Sequence, residues 1–171
     1  MTMAEATGPA GMTVHLQRLS EVAEGSNRQF FSQNDVNLLP DNTYVLTFWA
    51  KSPQSLAMRV SMKVSQAPWS GVGEPQQVEL TPEWQKYEVS LEGAGAVPGK
   101  TRLSFHFGSP EAGDIWLADL RLRNAAGDES SSENLIVNGR FEDGLEKWYS
   151  EGQRADVFQV NVQSLTEANT P

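Results

Sequence analysis

An all-β fold, a sandwich of two antiparallel sheets, is what this sequence predicts. Short segments alternate apolar and polar residues with a period of two. Turns rich in glycine and proline separate them (Gly 14, Pro 9), and helical periodicity is weak throughout. The first alternating segment, 13–19 (TVHLQRL), sets Val14, Leu16 and Arg18 on one parity and His15 and Gln17 on the other. The best helical candidate is short, around 20–25. After the turn-like PDN at 40–42, residues 43–51 (TYVLTFWAK) put Tyr44, Leu46 and Phe48 on the core parity and turn Thr47, Trp49 and Lys51 outward. Residues 57–65 alternate most cleanly, with Met58, Val60, Met62 and Val64 opposed to Arg59, Ser61, Lys63 and Ser65. Residues 76–80 and 84–91 are two further strands. Residues 101–107 oppose Leu103, Phe105 and Phe107 to Arg102, Ser104 and His106, and 114–123 (DIWLADLRLR) follow the turn GSPEAG. The polar stretch NAAGDESSSEN at 124–134 has the composition of a linker. Strand-like sequence resumes at 135–138 (LIVN) and 155–163 (ADVFQVNVQ). The word EATGP at 5–9 is echoed by EANTP at 167–171.

Composition narrows the function. The chain has 171 residues, 39% of them hydrophobic, enough for one domain with a real core. Its net charge of −9 argues against nucleic acid and against an anionic membrane as partners. No apolar run approaches the roughly 18 residues that cross a bilayer. The absence of cysteine excludes disulfides, thiol catalysis and zinc–thiolate sites. Residues 1–13 lack the basic and apolar regions of a signal peptide.

The segment NLIVNGRFEDGLEKWYSEG (134–152) resembles the opening of carbohydrate-binding modules of the family 4, 9, 16 and 22 type, which commonly begin NL-x-x-NG-x-FE-x-G-x-x-x-W. NTYVLTFWAKS (42–52) is similar to their central strand, LTPEWQKYEVSL (80–91) to the strand that follows it, and RLSFHFGSPEAGDIWLADLRL (102–122) to their closing strands. In those modules the NG-x-FE segment comes first; here it comes last. The chain is then either a piece cut from a tandem array or one circularly permuted module. The resemblance implies a jelly-roll sandwich over 12–163, with a linker at 124–133 joining the usual C-terminal strand to the usual N-terminal one and flexible ends at 1–11 and 164–171. It also implies an extracellular or cell-surface setting, as part of a longer exported protein. Exchange of the same parts between chains would give a strand-swapped dimer, and neighbouring modules of the parent chain are a further partner class.

Modules of this type often hold a structural calcium. The resemblance points to Asp119 of WLADL, Glu142 of NGRFE and the carbonyl of Gly139 as its ligands. The family commonly has two acids in the closing strand, whereas the first position here is Ala118. The alternative is that Asp119 and Glu142 are surface acids or pair with Arg121 and Arg140.

Sugars are bound by aromatic rings stacking on their apolar faces, beside side chains that satisfy hydroxyls. An outward Trp49 beside Arg59, Lys63, Arg102, His106, His15 and Gln17 would make such a face, with Gln159 a candidate of the same kind. Trp69, in the turn-like QAPWSG, is a candidate for the rim. The structural alternatives are a core tryptophan at 49, a loop anchor at 69 and a solvated strand face for the polar residues. Trp84, Trp116 and Trp148 read as core or edge packing, and Phe105, Phe107 and Phe141 as core. No pair of carboxylates is marked as a glycosidase pair. The expected function is therefore non-catalytic binding of a polysaccharide or oligosaccharide, β-glucan or xylan-like. The alternatives are a structural or adhesion jelly-roll module without sugar ligand, and part of a glycoside hydrolase.

Overall fold

The computed structural model describes residues 9, 12–19, 30–108, 111–127, 133–151 and 158–164. The helical candidate at 20–25, the EATGP/EANTP echo (Pro9 apart) and residues 128–132 of the linker lie outside them. Ten strands form in chain order: β1 Met12–Arg18, β2 Phe30–Val36, β3 Thr43–Lys51, β4 Ala57–Val64, β5 Gly71–Glu79, β6 Gln85–Glu92, β7 Thr101–Phe107, β8 Gly113–Asn124, β9 Trp148–Glu151 and β10 Phe158–Ser164. They build two five-stranded antiparallel sheets, β10-β1-β8-β3-β6 and β5-β4-β7-β2-β9. The predicted all-β sandwich is the fold observed.

The core follows from the alternation. Val14 and Leu16, Leu46 and Phe48, Met58 and Val60, and Leu103 and Phe105 are all buried between the sheets. In β8 the inward residues are Ile115 and Leu117, then Leu120 and Leu122. The phase changes where Asp119 takes a positive φ of 50° and the β3–β8 register shifts between Thr47 and Trp49. That is a β-bulge, one residue inserted against the partner strand.

Residues 135–138 differ from the sequence expectation: they run beside β8 as bends rather than as a ladder strand. Leu135 N–H donates to Leu122 O at 2.8 Å and Leu120 N–H to Gly139 O at 2.9 Å. The Asn134 amide fills the gap between, accepting from Leu122 N–H and donating to Leu120 O. On the other side Gln33, 3% exposed, clamps Val137 through both of its amide groups, at 2.7 and 2.8 Å. These bonds meet the backbone needs that a ladder would otherwise meet.

The NG-x-F motif has a physical reading here. Asn138 adopts φ 54°, and its side chain bonds Gly144 O, Glu146 O and Asp143 N–H, closing the turn that leads to β9. Gly139 lies against the backbone of Leu120, where a Cβ would come within 2.2 Å of the carbonyl oxygen. Phe141 drops into the core beside Phe31 and Trp148, whose rings stack at 4.6 Å.

Candidate functional site

The two outer faces of the sandwich differ. Trp49, Trp116, His15, Gln17 and Gln159 lie on the face of the β1-containing sheet. Arg59, Lys63, Arg102 and His106 lie on the other sheet, through β4 and β7. The single face expected from the sequence is thus divided in two. Alternation fixes which way a side chain points, but the order in which strands are shared between sheets decides which surface it reaches.

On the first face the polar groups satisfy one another. Trp116 Nε1–H donates to Gln163 Oε1 at 3.0 Å, Gln163 Nε2 pairs with His15 Nδ1 at 3.3 Å, and His15 Nε2 meets Asp114 Oδ1 at 2.7 Å. Asp114 Oδ2 accepts from Gln54 at 3.1 Å. These bonds are mutually consistent with Nε2–H as the His15 donor. The His15 hydrogen bond, helped by Gln54 and opposed by burial, holds the Asp114 carboxyl below the usual carboxylate range. The Trp116 ring is covered by His15, stacked at 4.1 Å and nearly parallel, and by Lys51 Nζ at 5.3 Å. Trp84, at the strand edge, has the same Lys51 amine 5.1 Å from its ring. Trp148 is the core tryptophan of the set.

The opposite face carries a cleft of about 210 Å³, lined by Arg59, Ser61, Lys63, Arg102, Ser104 and His106, with Gly71, Gly73 and Pro75 of β5 at one side. Ser61 and Ser104, opposite one another, form its floor, and the same row continues past the cleft through the buried Ser32 to Tyr149. The row crosses four strands and so spans about 14 Å, running across the strand direction. Arg59 and His106 are opposite one another on one side of it, Lys63 and Arg102 on the other. Trp69 stands at the rim, 49% exposed, with the Arg102 guanidinium 5.2 Å from its ring. Tyr149, 54% exposed, stands at the β9 end of that row. Sequence reasoning missed Tyr149, although a core Trp148 turns the next residue of a strand outward.

His106 lies between cations. Burial above all, then the charges of Arg59, Lys63 and Arg18, lowers its pKa to about 4, so it is a neutral hydrogen-bonding group at neutral pH. Its Nε2 lies 3.4 Å from Ser61 Oγ. The unfolded imidazole binds a proton near pH 6.5 while the folded one resists to about pH 4. Stability therefore falls as pH drops through that interval, by at most about 3 kcal/mol from this group. In urea melts at pH 7 and 4.5, H106Q should lose about 2 kcal/mol less than the parent between the two. Equal losses would show that His106 titrates normally.

The three expected calcium ligands converge, but around arginine. Asp119 Oδ1 lies 3.3 Å from Arg121 Nε and 3.8 Å from Arg140 Nε, and Arg140 Nη1 lies 3.8 Å from Glu142 Oε1. The Gly139 carbonyl already accepts from Leu120 N–H. Among the described residues no group of three or more His, Asp or Glu is placed to hold a metal ion. With guanidinium groups beside both carboxylates, this donor set does not fit calcium.

No protein-family model matches the sequence, and a search of curated proteins finds no match. Solved structures do match. The carbohydrate-binding module of PbXyn10C in its apo form is 22% identical at a TM-score of 0.64, covering 95% of this chain and 92% of that one. The N-terminal cellulose-binding domain of Cellulomonas fimi β-1,4-glucanase C is 19% identical at a TM-score of 0.52, covering 70% of this chain and 82% of that one. Ten strands, two antiparallel sheets and these likenesses together establish the chain's fold as the jelly-roll β-sandwich seen in carbohydrate-binding modules.

Proposed function

We propose that this chain is a non-catalytic polysaccharide-binding module whose site is the cleft on the β4–β7–β2 face. The observation that carries the reading is the cleft itself: Ser61 and Ser104 on its floor between cationic flanks, with the exposed Trp69 beside Arg102 and the exposed Tyr149 farther along the serine row on β9. Aromatic faces take the C–H side of a sugar ring, and Arg59, neutral His106 and the serines take its hydroxyls. The likeness to a cellulose-binding domain supports a polysaccharide ligand, β-glucan or xylan-like in backbone. No carboxylate lines the cleft among the described residues, so the pair a glycosidase needs is not assembled there. Gln17, Gln159 and Trp49, on the opposite face, are left out of this site. Ligands of this class are extracellular polymers, which supports a cell-surface or exported setting. Residues 134–151 and 158–164 return to β8, β2 and β1 of the same chain, which supports reading the tail as the opening segment of such a module placed last.

Replacing Trp69 by alanine should weaken binding to soluble xylan or β-glucan oligosaccharides about tenfold, the usual weight of one stacking ring. The melting temperature should stay within a degree or two of the parent, because Trp69 is a rim residue. Isothermal titration of parent and variant against both polymers checks this. If neither polymer binds the parent, the module reading is wrong; if W69A binds as well as the parent, the cleft is not the site.

A further inference from the structure

The cleft's charge is out of keeping with the rest of the molecule. The chain carries 22 acidic against 13 basic residues. Yet the described lining of the cleft holds Arg59, Lys63 and Arg102 and no aspartate or glutamate. Lys63 and Arg102 are direct cross-strand partners, and like charges opposite one another destabilise a sheet. Among the described residues, neither Arg59 nor Lys63 forms an ion pair. The side-chain groups that position Arg102 include uncharged ones, the Asn34 amide oxygen at 2.6 Å and the Trp69 ring. At the tail, by contrast, Asp119 and Glu142 are set beside Arg121 and Arg140. A face that concentrates positive charge on a strongly acidic protein, around a floor of hydroxyls and an exposed indole, is built for a ligand bearing negative charge.

We propose that the cleft binds an anionic polysaccharide, with acidic groups of the chain held by Arg59, Lys63 and Arg102 while a neighbouring ring stacks on Trp69. This rests on the polysaccharide-binding reading and specifies its ligand class. The negative charge is a carboxylate of a uronic acid or a sulfate ester; both offer oxygens to guanidinium and ammonium donors. Non-specific attraction does not account for such binding, because a net charge of −9 repels a polyanion as a whole. Only local contacts within a Debye length, about 8–10 Å at working salt, favour it.

The test is titration calorimetry against glucuronoxylan, the same polymer with its carboxyl groups reduced to alcohols, and a sulfated xylan. Glucuronoxylan or the sulfated polymer should bind about tenfold more tightly than the reduced polymer at 50 mM salt, about 1.4 kcal/mol, with the difference shrinking as salt rises. The preferred charged polymer identifies the acidic group. In the exposed pair R59A/K63A the charged polymers should bind no more tightly than the neutral polymer binds to the same variant, so that the preference for charge is lost. Equal binding of charged and reduced polymers, or an R59A/K63A variant that keeps the preference, overturns the proposal and leaves the polysaccharide reading standing. Failure of all three polymers to bind overturns both.

Discussion

A W148A variant should be less stable than its parent by about 4 kcal/mol and should melt about 10 °C lower. Trp148 begins β9, stacks on Phe31 at 4.6 Å and touches Phe141 and Phe105 at ring distances of 5.6 and 6.4 Å. Its Nε1–H donates to Asn138 O at 3.0 Å. Alanine removes the ring that joins the tail to β2 and β7, and it also takes away one of that carbonyl's two donors, leaving Phe141 N–H at 3.2 Å. A domain of ordinary stability has only about 5–15 kcal/mol in hand, so a loss of this size is a large fraction of it. W148F keeps a ring against Phe31 and should lose only about 1–2 kcal/mol, chiefly the hydrogen bond and part of the area. Urea denaturation of the three proteins measures both steps. A W148A midpoint equal to that of W148F would mean that the aromatic cluster is not the tail's anchor.

The second large effect is expected at Gly139. A Cβ there would sit 2.2 Å from Leu120 O, and that atom is backbone in the middle of β8, which cannot swing aside. G139A should push the tail off β8, lengthen the Leu120 N–H to Gly139 O bond and cost about 3 kcal/mol. Gly144 supplies the control. Its φ is 65°, but nothing lies within 4 Å of the Cβ position, so G144A meets only the left-handed backbone penalty of about 1 kcal/mol. Thermal melts rank the two, and hydrogen exchange at the Leu120 amide locates the damage. If G139A melts with the parent, the tail does not pack against β8 as described.

Much of the fold was legible because alternation is a direct record of burial. The strands 43–51 and 101–107 were bounded correctly, and 57–65 to within one residue, since each alternates without interruption. The bulge in β8 was also on the page, in the three-residue step from Leu117 to Leu120, but a period-two reading passes over one extra residue. Strand β2 escaped for a different reason: FFSQNDV has two adjacent aromatics, and its inward position 33 is a glutamine, whose burial makes sense only once Val137 is beside it. The site was half legible. Trp69 was identified as a rim candidate from its loop, and Arg59 and His106 from their parity. Their separation from Trp49 was not readable, because strand order across two sheets is set by long-range pairing that local sequence does not record. The resemblance drew Asp119 and Glu142 toward calcium, and the pairing with Arg121 and Arg140 that the sequence offered as the alternative is present in the structure.

The pairing of β1 with β10 sets how the protein responds to tension. Their register runs antiparallel from Met12 opposite Ser164 to Arg18 opposite Phe158, and among the described residues β10 is an edge strand with β1 as its one neighbour in the sheet. Antiparallel hydrogen bonds lie perpendicular to the strands. A pull applied through the backbone beside Met12 and Ser164 therefore loads these bonds singly, opening the ladder like a zipper instead of shearing it all at once. Phe158 and Val160, held under the sheet, are the first points of firm resistance. A module strung between two anchors through these positions yields its last strand at low force, while the eight strands between β1 and β10 stay folded.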